Sequence, residues 1–251
     1  MQYRIKVFIA CRLNTETELK KASFIDHLEE LRKRILYSLF FIVLFSGAGF
    51  IFARKVLNFI VQRVQVETAY FFNPTEAFTA QIMVAIFLGV FLSFPFILYQ
   101  TWMFIGPGLT AKEQKVSLGY LGSGIILFLI GNTFAYFVLI PFGLKFLLTF
   151  GTEHLKPIMN ISGILNFVFW CLLGSGLLFQ LPLLVFFLVK LGIVQLSTIT
   201  KHRAEAIIAI LIVCAIITPT VDMFTLLIIG IPLILLFELS ILIARISQRK
   251  K

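Results

Sequence analysis

Charge is scarce in this sequence. Only 14% of its 251 residues are charged, against 59% hydrophobic, and the mean hydropathy is +0.99. A water-soluble domain of this length needs far more polar surface around its core, so lipid is the solvent for most of the chain. Aspartate is rarer still: Asp26 and Asp222 are the only two. That argues against an intramembrane aspartyl enzyme, which needs two facing acids, because Asp26 precedes the first apolar run. The histidines, His27, His154 and His202, all fall in loops or interfacial segments and read as solvated surface groups. The cysteines, Cys11, Cys171 and Cys214, show no CxxC spacing. Two of them lie inside apolar runs and read as buried thiols, without a redox or metal role. GxSxG, HExxH and P-loop patterns are missing as well. The expectation is a protein that is not an enzyme, with no cofactor and no metal site.

What is present is long, continuous apolar sequence, such as 125–140. A span of the bilayer takes about 20 apolar residues as a helix, whereas a transmembrane barrel shows short alternating segments. The fold expected is therefore an all-α polytopic membrane protein with six transmembrane helices. The spans are read at about 35–53, 77–105, 116–140, 162–189, 206–217 and 223–244. Together they form one membrane domain over 23–245, between a polar N-terminal segment, 1–22, and a basic tail, 246–251. Ser23 with Asp26 three residues on looks like a capping box. Phe24, Leu28, Leu31 and Ile35 recur at helical spacing, so 23–34 reads as an amphipathic helix on the membrane surface. Arg54 and Lys55 should stop span one, leaving 54–76 as a polar loop. Pro95 and Pro182 should kink spans two and four, and Pro141 should end span three. The run 206–217 reaches only about 18 Å at helical rise. A tight hairpin with the last span, turning at 218–222, is favoured over one long broken helix. The N-terminal apolar stretch, 7–11, is too short for a signal-peptide core, and Cys11 is accordingly not read as a lipid-attachment site. The lack of a transit-like leader fits a bacterial or organelle-encoded protein, with bacterial favoured.

The net charge of +10 does not indicate nucleic acid, because the basic residues are dispersed between apolar runs. They set topology and attract anionic lipid headgroups. All of the 22 basic residues but Arg54, Lys55, Arg63, Lys145 and Lys156 fall on one side of the six-span arrangement. The positive-inside rule then places both termini, and the loops 106–115 and 190–205, in the cytoplasm.

Few residues can carry chemistry. Asp26, Glu29 and Glu30 lie just before span one and Glu113 in the first cytoplasmic loop, on the same face of the membrane. Glu29–Lys33 and Glu30–Arg34 are i,i+4 pairs, which by themselves contribute only a few tenths of a kcal/mol to a helix. Glu113, beside Lys112 and Lys115, reads equally as a solvated loop charge. Inside the spans, Gln81, Gln100, Asn132, Asn166, Gln180 and Glu238 are polar. Gln180, deep in span four beside Pro182, needs a partner from the bundle or from another protein's helix. Glu238 should snorkel or pair with Arg245.

Five segments carry a resemblance. Residues 24–34 (FIDHLEELRKR), 99–113 (YQTWMFIGPGLTAKE), 134–137 (FAYF), 179–182 (FQLP) and 218–222 (TPTVD) resemble, in order and over about 23–245, the TatC family, the receptor subunit of the twin-arginine protein translocase. The resemblance implies a cup-shaped six-helix bundle that binds signal peptides carrying two consecutive arginines. It further implies export of folded proteins driven by the proton-motive force. Glu30 and Glu113 are the matched acids, suited to the guanidinium fork where lysine fits less well. Arg32 matches a position that orients the acids, and Phe104 one that shapes an apolar wall. Gln180 matches the docking position of single-span TatA- or TatB-type partners; some members carry Glu there. Tyr136 and Asp222 match functional positions on the far side. Self-association in a complex and contact with membrane lipids are also implied. The first outer loop, 54–73, lacks a proline found in many members. A small-solute secondary transporter is the competing reading; no internal repeat and no midplane charge favours it.

Overall fold

The structure is a computed structural model. It describes residues 2–63, 70, 72–105, 117–148, 160–190, 194–217 and 223–249, with most side chains described from Asp26 onward. Among them the chain is almost wholly helical: α1 (Gln2–Arg63), α2 (Glu76–Ile105), α3 (Ser117–Phe134), a π turn (Ala135–Leu139), α4 (Ile140–Leu148), α5 (Ile161–Leu178), α6 (Leu181–Lys190), α7 (Leu196–Lys201), α8 (Arg203–Ile217) and α9 (Met223–Arg249). Among the described residues, five stretches are long and apolar enough to cross a membrane: Asp26–Gln62, Glu76–Ile105, Leu121–Leu148, Ile161–Val189 and Leu226–Ile246. The sixth expected span is α8, 15 residues long, reaching about 22 Å at helical rise. The six-helix membrane fold stands.

Many large apolar side chains face outward, including Val43 at 64%, Ile51 at 76% and Ile216 at 77% exposure. In water such faces aggregate; in lipid they cost nothing. Helices in lipid associate through close packing at small residues. A Cβ on Gly89 of α2 meets the Ser46 nitrogen at 2.7 Å and the Ile42 carbonyl at 2.8 Å, so glycine lets the α2 backbone lie directly on α1. Gly131 does the same for α3 and α5: a Cβ there meets the Ser175 carbonyl at 2.8 Å, and Ser175 Oγ donates to the Gly131 carbonyl at 2.8 Å.

Several expected boundaries move. Ser23 begins no helix and Arg54-Lys55 ends none, because α1 runs unbroken from Gln2 to Arg63. No proline or glycine pair interrupts that run, and exposed basic residues are ordinary helix formers. Pro141 does not end the third span. It sits at the second position of α4, after the chain widens into the π turn, where Ile140 N–H donates to the Ala135 carbonyl. The wider turn accommodates both the N–H that proline lacks and the space that its ring takes up. Pro95 lies inside α2. At Pro182 the fourth span breaks outright: α5 ends at Leu178 and α6 starts at Leu181. The region 190–205 contains the short helix α7. Helices α8 and α9 form the expected antiparallel hairpin, since Arg203 meets Glu238 while Leu211 meets Gly230. The expected turn, 218–222, lies outside the described residues. Glu238 therefore pairs with Arg203 at 3.4 Å rather than with Arg245, because the hairpin brings the head of α8 closer than the next turns of its own helix.

The opposite face holds a clasp that hydropathy does not reveal. Tyr70 bridges to Asn160, and Glu76 at the head of α2 gathers the pieces. Its Oε1 accepts from Asn160 Nδ2 at 2.7 Å and from Ser162 Oγ at 3.3 Å. Its Oε2 accepts from the Phe72 N–H at 2.7 Å. Asn160 also caps α5, its Oδ1 accepting from the Ser162 N–H at 2.8 Å.

Candidate functional site

On α1, positions 27, 30, 31, 34 and 38 fall at helical spacing and share one face. On α2, positions 97, 100, 101 and 104 do the same. The close contact at Gly89 presses these two stripes together, and their residues meet. Glu30 Oε1 accepts from Arg34 Nη2 at 3.0 Å. Arg34 Nη1 reaches across to Gln100 Oε1 at 3.2 Å. Arg34 Nε is buried without a partner. Ser38 Oγ closes the turn on the Arg34 carbonyl at 3.0 Å. One turn before Glu30, the His27 ring stacks on Phe104, with centroids 4.3 Å apart and planes 16° apart.

Below this polar head, a groove of about 320 Å³ runs between the helices. Leu31, Ile35, Leu39 and Ile42 line it from α1, and Ile97, Thr101 and Phe104 from α2. The arrangement is a carboxylate at the head of an apolar trough. It can hold a cation, the guanidinium fork best, whose attached chain continues into apolar surroundings.

The expected site residues fall as follows. Glu30 and Phe104 come to the same groove head. Arg32 is exposed; two residues from Glu30 is about 200° around the helix, and the cation that holds Glu30 is Arg34. Of the two i,i+4 pairs only Glu30–Arg34 forms; Glu29 and Lys33 are exposed to solvent, where such pairs gain little. Glu113 and Asp222 lie outside the described residues. Gln180 sits in the break between α5 and α6. Its N–H donates to the Leu177 carbonyl at 2.9 Å, and its Nε2 donates to the Gly124 carbonyl of α3 at 3.0 Å. Its Oε1 is buried and unpaired. Gln180 borders a cavity of about 360 Å³ walled by Leu98, Trp102, Leu121, Leu183 and Phe187. Tyr136 belongs to the π turn, lies parallel to Phe59 at 6.1 Å and lines a second cavity of about 330 Å³ with Asn132. His27, Arg34 and Gln100 are the residues that reading the sequence left out of the site. The i,i+4 spacing to Glu30 signalled Arg34. A polar residue in an apolar span signalled Gln100.

Comparison with known proteins shows the family and the fold. Residues 26–232 match the family described as Sec-independent protein translocase protein (TatC). A TatC protein of Koribacter versatilis is 35% identical over 250 residues, covering 96% of this chain and 92% of its own. TatCy of Bacillus subtilis is 34% identical over 239 residues, covering 94% of each. A crystal structure of the twin-arginine translocase receptor TatC matches with a TM-score of 0.75 at 31% identity. It covers 88% of this chain and 99% of that one.

Proposed function

We propose, on the premise that this chain belongs to the TatC family and is a multi-pass membrane component of the Sec-independent protein translocase, that the α1–α2 groove receives twin-arginine signal peptides. The carrying observation is a partly exposed carboxylate, Glu30, already engaged with a guanidinium at the head of an apolar groove. A signal peptide has the same order of parts, a cationic pair followed by an apolar stretch. Glu30 takes one arginine, and Glu113, which follows α2 in the sequence, takes the other. Arg32 stands on the solvent side of the same turn, and Phe104, braced by His27, walls the groove entrance. The apolar stretch lies along Leu31, Ile35, Leu39 and Ile97.

The remaining roles rest on the same family membership. The excess of basic residues on one side supports both termini and the groove head facing the cytoplasm of a bacterial cytoplasmic membrane. Single-span TatA- and TatB-type subunits dock beside Gln180, supported by the apolar cavity there and by an amide oxygen still lacking a donor. Tyr136 and Asp222 act on the far side, while copies of the chain and lipids complete an assembly that exports folded proteins on the proton-motive force. The test is equilibrium binding of an Arg-Arg signal peptide and its Lys-Lys counterpart to the full chain in nanodiscs. The Arg-Arg peptide should bind at least about tenfold tighter, and Glu30→Ala or Glu113→Ala should remove that preference. Equal binding of the two peptides would refute the assignment.

A further inference from the structure

We infer that Arg34 is a resident competitor for Glu30: it holds the carboxylate at rest, and a signal-peptide arginine must displace it, leaving it on Gln100. This rests on Glu30 being the anchor for the signal arginine. Four observations carry it. First, Arg34 offers Glu30 the same chemical group that the proposed ligand brings, at 3.0 Å. Second, the contact is single. One nitrogen meets one carboxylate oxygen, and the two-bond fork that makes arginine–carboxylate pairs strong does not form. Third, the guanidinium is under-satisfied, because Nε is buried with no acceptor. A buried, unsatisfied donor is costly, so the resident pair is poised rather than locked. Fourth, Arg34 already holds Gln100 Oε1 through Nη1. It can release Glu30 without losing every partner.

The exchange then has a direction. Arg34 gives up one charge-assisted bond. An incoming arginine that takes both carboxylate oxygens forms two, and an incoming lysine, a point charge, forms one. Both ligands meet the same cost of moving Arg34, but only arginine recovers more than it displaces. Arg34 thus sets a threshold that lowers the affinity of both ligands alike, so that only a ligand recovering more than it displaces binds well, while the preference for arginine comes from its second bond to Glu30. An orienting role for Arg34 predicts the opposite sign, since its removal then weakens binding.

Binding of Arg-Arg and Lys-Lys signal peptides to the full chain in nanodiscs tests this. Arg34→Gln should tighten both by about tenfold, the worth of one charge-assisted hydrogen bond, and bring the Lys-Lys peptide into the measurable range. Lys33→Gln removes the same charge from an exposed neighbour and should change affinity by less than about twofold, as expected of screened surface charge. Arg34→Lys keeps the charge and should tighten binding by an intermediate amount. Each variant's thermal midpoint reports folding, and Arg34→Lys carries the test if Arg34→Gln does not fold. Weaker or unchanged binding in Arg34→Gln, or tightening no greater than in Lys33→Gln, overturns the competitor role. Glu30→Gln separates the two readings: if it leaves wild-type Arg-Arg binding intact, the anchor assignment itself falls. If it abolishes binding while Arg34→Gln fails to tighten, only the competitor role falls.

Discussion

Residues at the groove head show how much of a site single positions can reveal. Glu30 and Phe104 were readable as candidates because both lie in segments resembling a known family; by spacing alone Glu30 was a helix-stabilising partner of Arg34. His27 was not: a histidine before a span reads as solvated, and only the packing of α2 places Phe104 flat against it. Arg34 read as a helix-stabilising partner, and it is one, but the reach to Gln100 needs the depth at which two helices cross. Asn160 belongs to the same class. Nothing in the sequence ties it to Glu76, 84 residues away. Asn160→Ala removes a helix cap and should destabilise the protein by about 1 kcal/mol, read as a lower thermal midpoint in detergent. Asn160→Ser, which keeps an oxygen acceptor, should recover most of the loss.

Among the elements, proline and glycine gave the least transferable signals. Pro95 and Pro182 both read as kinks and Pro141 as a helix end, yet Pro95 lies within α2, Pro141 continues the helix after a π turn and Pro182 follows a break between two helices. What differs is whether neighbouring backbone finds replacement partners. At Gln180 it does so through Leu177 and Leu184, whose N–H donates to the Gln180 carbonyl at 3.0 Å. Exposed charges such as Arg54 do not stop a helix, which is why α1 outran its expected end. Gly89 is where α1 and α2 touch. Gly89→Leu should cost about 1–3 kcal/mol by overpacking and spread the groove. Detergent melting and proteolysis within α1 should both show it, while Gly122→Leu, where a Cβ meets nothing within 4 Å, should leave both unchanged.

For the molecule as a whole, the apolar runs specified the membrane fold well, because spanning helices must satisfy their own backbone and need little else. The short α8 was legible by length, and its hairpin with α9 by the turn residues that separate them. The arrangement of helices around the bundle was not, since lipid-facing and bundle-facing side chains are equally apolar. The proposed orientation, with both termini on the cytoplasmic side, rests on the distribution of basic residues. A cysteine added after Lys251 and another placed before Tyr3, on a background lacking Cys11, should both react with an impermeant maleimide in inside-out vesicles and in neither case from the outer face. Labelling of the two from opposite sides would break the six-span account.

The central claim, that the α1–α2 groove holds a signal peptide with its arginine at Glu30, is most directly tested by a photo-crosslinking residue at Leu39, inside the groove. It should capture an Arg-Arg signal peptide in membranes and lose that capture with a Lys-Lys peptide or with Glu30→Ala. The same residue placed at Phe72, on the opposite face, should capture neither. Equal capture of both peptides at Leu39, or capture indifferent to Glu30, would contradict the account.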